Sequence, residues 1–106
     1  KLAVAWWVRR HAPSAEWAAA GIALNALAPG KVETPLLDET RSDGVIGSLV
    51  DALPVPVGRS GAPDEIAAAV QFLLGPDARF FCGSIVFCDG GTDAQFRADD
   101  FPSPLR

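Results

Sequence analysis

Two short segments of the sequence combine polar groups with glycine directly after an apolar run. The first run contains Asn25, whose buried amide must be hydrogen-bonded and therefore favours a structural role. This run is followed by Pro29, Gly30, Val32 and Thr34. Ligands of open α/β sheets bind outside the carboxyl ends of the strands, so main-chain groups at Val32 and the hydroxyl of Thr34 could hydrogen-bond a ligand. Proline and glycine also end strands without any further role. Their combination with Asn25, Val32 and Thr34 favours a binding loop.

The other candidates for chemistry are a second glycine-rich segment, one histidine and two cysteines. A single carboxylate makes a poor metal site, so we interpret Asp89–Gly91 as a turn. His11 has no partners spaced for a metal and is interpreted as a helix-surface residue. Cys82 and Cys88 lack the CxxC spacing of redox or zinc sites, and we expect two reduced thiols in the core. A thiol redox module is the minor alternative, because no electropositive group flanks either cysteine.

The composition excludes several classes of protein. The 106 residues carry a net charge of −4, whereas nucleic-acid binders cluster lysine and arginine. No run approaches the roughly 18 apolar residues that cross a bilayer, and no segment resembles a signal peptide. With 49% hydrophobic residues, ten glycines and nine prolines, we expect one small domain with a buried core, located in the cytoplasm.

The first third of the chain predicts a broken helix followed by a strand. Good helix formers and aromatic residues fill residues 2–12, and Pro13 ends or kinks that helix. Ser14 could cap a second helical stretch over residues 15–20. The apolar residues 22–28, stopped by proline and glycine, predict a strand buried on both faces.

The rest of the chain predicts two helices and a second strand. Residues 31–62 are loop-rich, but apolar residues at helical spacing indicate a short helix there: Val45, Ile46, Leu49, Val50 and Leu53. Proline at the first position, acidic residues in the first turn and an apolar face predict a helix over residues 63–74. Residues 84–88 predict the second strand, and the tail after residue 91 is expected to be irregular.

These elements predict an α/β arrangement that needs more strands. A strand, a connecting helix and a strand imply a parallel pair with a right-handed crossover. Two parallel strands do not form a stable sheet alone. Because the chain starts at a lysine without an initiator methionine, and its first residues have the pattern of a helix interior, we expect a piece of a longer protein.

Several linked motifs resemble the short-chain dehydrogenase/reductase family. The segment 21–30, GIALNALAPG, is similar to the family's "GI-x-VN-xxx-PG" stretch, and Val32 and Thr34 follow where the family keeps its Val-x-Thr. Asp64-Glu65-Ile66-Ala67, Phe72-Leu73-Leu74, Gly83 and Asp89-Gly90-Gly91 match its closing block. Within the family, the motifs around residues 34–37 and 89–94 look most like bacterial 3-alpha-hydroxysteroid dehydrogenase/carbonyl reductases.

The resemblance implies the C-terminal half of a Rossmann-type doubly wound parallel sheet, belonging to one short-chain dehydrogenase domain. It implies that Pro29, Gly30, Val32 and Thr34 contact the nicotinamide carboxamide of NAD or NADP. Lys1 falls where the family has the lysine of its Tyr-xxx-Lys motif. That lysine bonds the nicotinamide ribose and lowers the pKa of the catalytic tyrosine, which would precede this chain.

The resemblance also implies a substrate lid. Five apolar residues occupy the lid region: Leu36, Leu37, Val45, Ile46 and Leu49. Such a lid suits a small hydrophobic alcohol or ketone, such as a hydroxysteroid, although ordinary core packing explains the same residues equally well. We expect a homodimer or homotetramer, with no metal, nucleic acid or membrane partner.

The resemblance does not extend to every part of the family's machinery. The glycine-rich phosphate turn and the catalytic serine and tyrosine are absent from these residues, so NAD and NADP both remain candidates. The alternative function is a structural or interaction piece without activity. In either case we expect the 106 residues alone to bind no cofactor and catalyse no oxidation.

Overall fold

A computed structural model describes residues 1–100 and contains five helices, two strands and one 3₁₀ turn in that range. The helices are α1 (Leu2–His11), α2 (Pro35–Ser42), α3 (Ile46–Asp51), α4 (Pro63–Leu74) and α5 (Thr92–Phe96). The strands are β1 (Ala26–Pro29) and β2 (Ile85–Cys88), and the 3₁₀ turn is Pro76–Ala78. Within the described residues, no helix is both long and apolar enough to cross a membrane.

The two strands form a parallel pair. The N–H of Ala26 donates to the carbonyl of Ser84 at 2.9 Å, and the N–H of Gly30 donates to the carbonyl of Cys88 at 3.1 Å. Donors and acceptors advance in the same direction along the chain, which defines parallel strands. The predicted α/β arrangement is therefore confirmed. The first strand is shorter than predicted, since only the second half of residues 22–28 pairs.

The chain divides into two compact units. The first unit contains Lys1–Ala28 and Asp64–Phe87, and the second contains Pro29–Pro63 and residues 88–100. The buried hydrophobic residues of the described chain are Val8, Ala12 and Ala78, all in the first unit. The expectation of a well-buried core was wrong for residues 1–100, since only these three hydrophobic residues are buried there. A two-stranded sheet offers little surface for helices to cover.

Asn25 joins β1 to the segment that leads into β2. Its amide Nδ2 donates to the carbonyl of Phe81 at 2.9 Å, and its Oδ1 accepts from the N–H of Ser84 at 3.0 Å. A half-buried amide is thereby satisfied at both ends, as buried polar groups generally are. Asn25 acts as a bridge that aligns the two strands.

The predicted helix over residues 15–20 was wrong. Residues 12–21 form successive turns, in which Trp17 N–H donates to Ser14 and Ala20 N–H donates to Trp17. The Ser14 hydroxyl makes no capping bond among the described residues. No side chain bonds the first N–H groups of this segment as Asp43 does for α3, so the segment does not continue as a helix. Its Trp17 ring instead meets Trp7 edge-on at 6.0 Å.

Two helices were not predicted. Helix α2 lies inside the segment 31–62 that the sequence marked as loop-rich, and α5 begins the tail that was expected to be irregular. Both are short and depend on side chains that bond their first turns. The other helices agree with the sequence prediction, and α4 has the predicted bounds Pro63–Leu74.

Candidate functional site

Residues 29–34, here called the β1 loop, leave the carboxyl end of β1 close to the turn that follows β2. A Cβ added at Gly30 would lie 2.6 Å from the Cα of Asp89, a distance that side chains do not tolerate. Glycine at this position is therefore required by the close approach of the two strand ends. Pro29 is exposed beside it at the end of β1.

The segment Asp89–Gly91 is a turn, as predicted. Its glycines have φ of +65° and +93°, which favours residues without a Cβ. The Asp89 carboxylate accepts from the N–H of Gly91 at 2.9 Å and from the N–H of Asp93 at 2.7 Å. This carboxylate is occupied by the first turn of α5, and the described residues contain no group of three or more potential metal ligands.

Val32 offers a main-chain edge for a ligand. It forms a parallel bridge with Gly61, in which Gly61 N–H donates to Lys31 and Glu33 N–H donates to Gly61. In a parallel bridge these bonds use the groups on either side of Val32, so its own N–H and C=O point the opposite way. Neither group has a hydrogen-bond partner within residues 1–100. A planar amide could bond both.

Thr34 follows Val32 by two residues and caps α2. Its Oγ1 accepts from the N–H of Leu37 at 3.3 Å, and Pro35 occupies the first helical position. A hydroxyl that accepts a bond keeps its proton available for donation to a ligand. Thr34 can therefore cap α2 and donate outward at the same time.

Helices α2 and α3 form the region that the sequence identified as a lid. Four of its five predicted residues are more than half exposed, with Leu36 at 71%, Val45 at 72%, Leu49 at 65% and Ile46 at 51%. Leu37 is half-buried. Core packing within the described chain does not explain these four residues. The two helices approach closely at Gly47, where an added Cβ would lie 2.3 Å from the carbonyl oxygen of Arg41.

Four charged residues, here called the charge cluster, connect the β1 loop with α2 and α3. Arg41 donates through both terminal nitrogens to the Glu33 carboxylate, at 2.7 and 2.9 Å, and through Nε to Asp51 at 3.1 Å. Lys31 lies 3.4 Å from the same Asp51 oxygen. Sequence reasoning missed this cluster because its members are 2 to 20 residues apart and only the fold of α2 and α3 brings them together.

The charge cluster shifts the ionisation of its members. The Arg41 guanidinium, helped by the Ser60 hydroxyl, lowers the pKa of Glu33 from 4.5 to about 2. Arg41 and then Lys31 also hold the pKa of Asp51 below its ordinary value, and the two carboxylates raise the pKa of Arg41. Glu33, Asp51 and Arg41 are therefore all charged at neutral pH.

Lys1 belongs to the first unit and precedes α1. Its carbonyl accepts from the N–H of Ala5 at 3.2 Å, and its side chain is exposed. The ammonium has no ion-pair partner within the described residues. Its predicted catalytic and ribose-binding roles remain predictions.

The histidine and cysteines have local roles. His11 closes α1, with its ring stacked on Trp7 at 4.6 Å. Neither thiol forms a disulfide, but Cys82 is exposed, so its predicted place in the core was wrong. Its Sγ donates to the carbonyl of Ala12, and with Arg79 it lines an open depression of about 500 Å³.

Comparison with known proteins identifies the family. Residues 1–93 match the family model described as enoyl-(acyl carrier protein) reductase. The chain belongs to the short-chain dehydrogenase/reductase family, as its motifs predicted.

Individual relatives refine this assignment. The chain is 39% identical to 3-alpha-hydroxysteroid dehydrogenase/carbonyl reductase of Comamonas testosteroni, over 89% of this chain and 36% of the relative. It is 43% identical to galactitol 2-dehydrogenase (L-tagatose-forming) of Cereibacter sphaeroides, over 76% of this chain and 32% of the relative. The predicted similarity to bacterial 3-alpha-hydroxysteroid dehydrogenases is confirmed. The chain spans about a third of the length of these relatives.

Solved structures show the same fold. The crystal structure of the 3-alpha-hydroxysteroid dehydrogenase from Pseudomonas sp. B-0831, complexed with NADH, matches with a TM-score of 0.85 and 45% identity, over 93% of this chain and 38% of that chain. A structure from Agrobacterium tumefaciens with bound NADP matches with a TM-score of 0.72 and 37% identity, over 86% of this chain and 36% of that chain. The predicted Rossmann-type α/β fold is confirmed.

Proposed function

We propose that this chain is the C-terminal part of a single short-chain dehydrogenase domain, whose full-length protein transfers a hydride between NAD or NADP and an alcohol or ketone. The observation that carries the proposal is the unpaired N–H and C=O of Val32, next to the Thr34 hydroxyl at the carboxyl end of β1. Relatives solved with NADH and with NADP support it.

The donor set of the β1 loop fits a nicotinamide carboxamide. That group has one carbonyl acceptor and one NH₂ donor, which complement the N–H and C=O of Val32, and Thr34 adds a second donor. Gly30 lets the loop approach the Asp89 turn, and Pro29 is the last residue of β1. The cofactor would supply the hydride or accept it. In the same proposal, Lys1 bonds the ribose and lowers the pKa of a tyrosine that precedes this chain.

A hydrophobic substrate, such as a hydroxysteroid, is the proposed ligand of the α2–α3 region. Its exposed leucine, isoleucine and valine side chains favour burial against an apolar ligand. The hydroxysteroid dehydrogenases among the relatives support this choice. The galactitol dehydrogenase relative makes a polyol the competing substrate.

An activity assay of the full-length protein tests the proposal. We expect reduction of NAD or NADP when a 3-alpha-hydroxysteroid is added, and a large loss of kcat in Lys1→Met, because the lysine's charge is then missing. Galactitol serves as the polar comparison substrate. A folded full-length protein that binds neither cofactor would support the alternative, a structural piece without activity.

We also propose that the full-length protein forms a homodimer or homotetramer through α4. An apolar stripe on this helix is exposed, with Val70 at 39% and Leu74 at 83%, and Ala67 on the same side permits close helix packing. Val70→Lys should therefore weaken assembly. Light scattering that reports only monomer for the wild-type protein at micromolar concentration would contradict the proposal.

A cytoplasmic location is the remaining part of the proposal. It is supported by the acidic composition of the chain, which carries a net charge of −4. Cell fractionation of the full-length protein tests it, and recovery in the secreted fraction would contradict it.

A further inference from the structure

The β1 loop presents alternate side chains to opposite sides. Around the bridge at Val32 the backbone is extended, and in extended backbone neighbouring side chains alternate in direction. The side chains of Lys31 and Glu33 therefore lie on the same side, where Lys31 bonds Asp51 and Glu33 bonds Arg41. The two residues that flank the proposed carboxamide edge are thus both held by side chains of α2 and α3.

Arg41 makes most of these contacts. Its guanidinium forms a bidentate pair with Glu33 and a third bond to Asp51, so one side chain of α2 joins the β1 loop to α3. The two cations are the shielded members, with side chains 11% exposed for Lys31 and 30% exposed for Arg41. Bidentate guanidinium–carboxylate pairs fix orientation as well as distance, unlike single ion pairs.

The contact between α2 and α3 at Gly47 does not replace this connection. Gly47 packs against the backbone of Arg41 and so joins the two helices to each other. Only the charge cluster, among the side-chain bonds described for these residues, connects them to Glu33. Losing the Arg41 side chain would leave the helices paired but the β1 loop less constrained.

We propose that Arg41 is a positioning residue for the cofactor site: it holds Glu33 directly and Lys31 through Asp51, so that the N–H and C=O of Val32 stay turned outward, and it makes α2 move with the β1 loop. This inference rests on the proposed function. It predicts that removing Arg41 weakens cofactor binding and raises the substrate KM together.

Variants of the full-length protein test this role. In Arg41→Gln and Glu33→Gln we expect the dissociation constant for NADH or NADPH to rise about three- to tenfold, the range expected for a bidentate pair within a network. The double variant should be little worse than either single one, since both remove the same interaction. Arg41→Lys should partly restore cofactor affinity, because lysine keeps the positive charge but cannot form the bidentate pair. Glu39→Gln, on the same helix without a side-chain bond in the described chain, is the matched control.

Hydrogen exchange in the cofactor-free protein provides the second readout. Arg41→Gln should accelerate exchange across residues 30–42 and leave residues 63–74 unchanged. An unchanged dissociation constant with unchanged exchange would overturn the proposal. So would a lower melting temperature with unchanged affinity, because that result assigns Arg41 a merely structural role. If the wild-type protein binds no cofactor, the proposed function fails. The hydrogen-exchange measurement then still decides whether Arg41 holds the β1 loop.

Discussion

At the scale of single residues, the Thr34 hydroxyl has two predicted uses. It caps α2 through the N–H of Leu37, and in the proposed function it donates to the carboxamide. Thr34→Val removes both, at a cost of about 0.5–2 kcal/mol for the cap and about 0.5–1.5 kcal/mol for the ligand bond. We expect a several-fold loss of cofactor affinity in the full-length protein, measured by calorimetry.

Two further variants of Thr34 separate these effects. Thr34→Ser keeps the hydroxyl and should bind cofactor almost as well as the wild type. Thr34→Asp keeps a capping oxygen and loses the proton donor, so it should preserve α2 and still bind poorly. Wild-type affinity in Thr34→Val would remove Thr34 from the site.

Glu33 gives a prediction about pH. Its pKa is lowered to about 2 by Arg41 and Ser60, so the bidentate pair stabilises the loop above pH 4.5 and is lost as the pH falls toward 2. Carboxyl-carbon NMR should give a midpoint near 2 in the wild-type protein and a clearly higher one in Arg41→Gln. Added salt should raise the wild-type midpoint, since the carboxylate is exposed. A wild-type midpoint at the ordinary value of 4.5 would show that the pair does not form in solution.

Sequence reasoning identified single residues well where local chemistry decides their role. The amide of Asn25 inside an apolar run had to be satisfied, and it is. The lone carboxylate of Asp89 was interpreted as part of a turn, and it caps one. Sequence reasoning failed for Cys82, which was expected in the core and is exposed. Burial depends on which surfaces the fold brings together and not on the residue type alone.

At the scale of elements, the packing of α2 on α3 depends on one glycine. A methyl group at Gly47 would collide with the Arg41 carbonyl, so Gly47→Ala should force the helices apart, at a cost of about 1–3 kcal/mol. We expect a raised substrate KM and faster hydrogen exchange in α2 of the full-length protein. Gly44→Ala is the control, because an added Cβ there meets nothing within 4 Å. Equal behaviour of the two variants would contradict this packing.

The elements that sequence reasoning predicted are those with several signals that agree. Helix α4 has an N-terminal proline, acidic residues in its first turn and a terminating glycine, and its bounds were predicted. Helix α2 carries a threonine cap followed by proline, a signal that was present at Thr34–Pro35 and overlooked in a loop-rich segment. Helix α5 has five residues and depends on the Asp89 carboxylate, a contact that no local pattern predicts.

At the scale of the whole molecule, the exposed apolar residues agree with a chain that spans about a third of its relatives. Within the first unit, Leu2, Val4 and Trp6 of α1 are each more than half exposed. A parallel sheet requires more strands and covering helices than the described residues provide. The sequence predicted this need from the count of strands alone, before any contact was known.

The chain lacks a site for the cofactor phosphates, as far as its described residues show. Such a site needs a glycine-rich turn leading into a helix whose first N–H groups are unoccupied. The turn before α5 has the glycines, but the Asp89 carboxylate already accepts from Gly91 and Asp93. The described residues therefore supply only the nicotinamide end of the proposed site.

Calorimetric titration with NADH and NADPH tests the central claim most directly. We predict micromolar binding of at least one cofactor by the full-length protein, several-fold weaker binding by Thr34→Val, and no measurable binding by residues 1–106 alone. Micromolar binding by the 106-residue chain, or binding by the full-length protein that Thr34→Val leaves unchanged, would contradict the claim that this chain contributes the nicotinamide half of a cofactor site completed elsewhere.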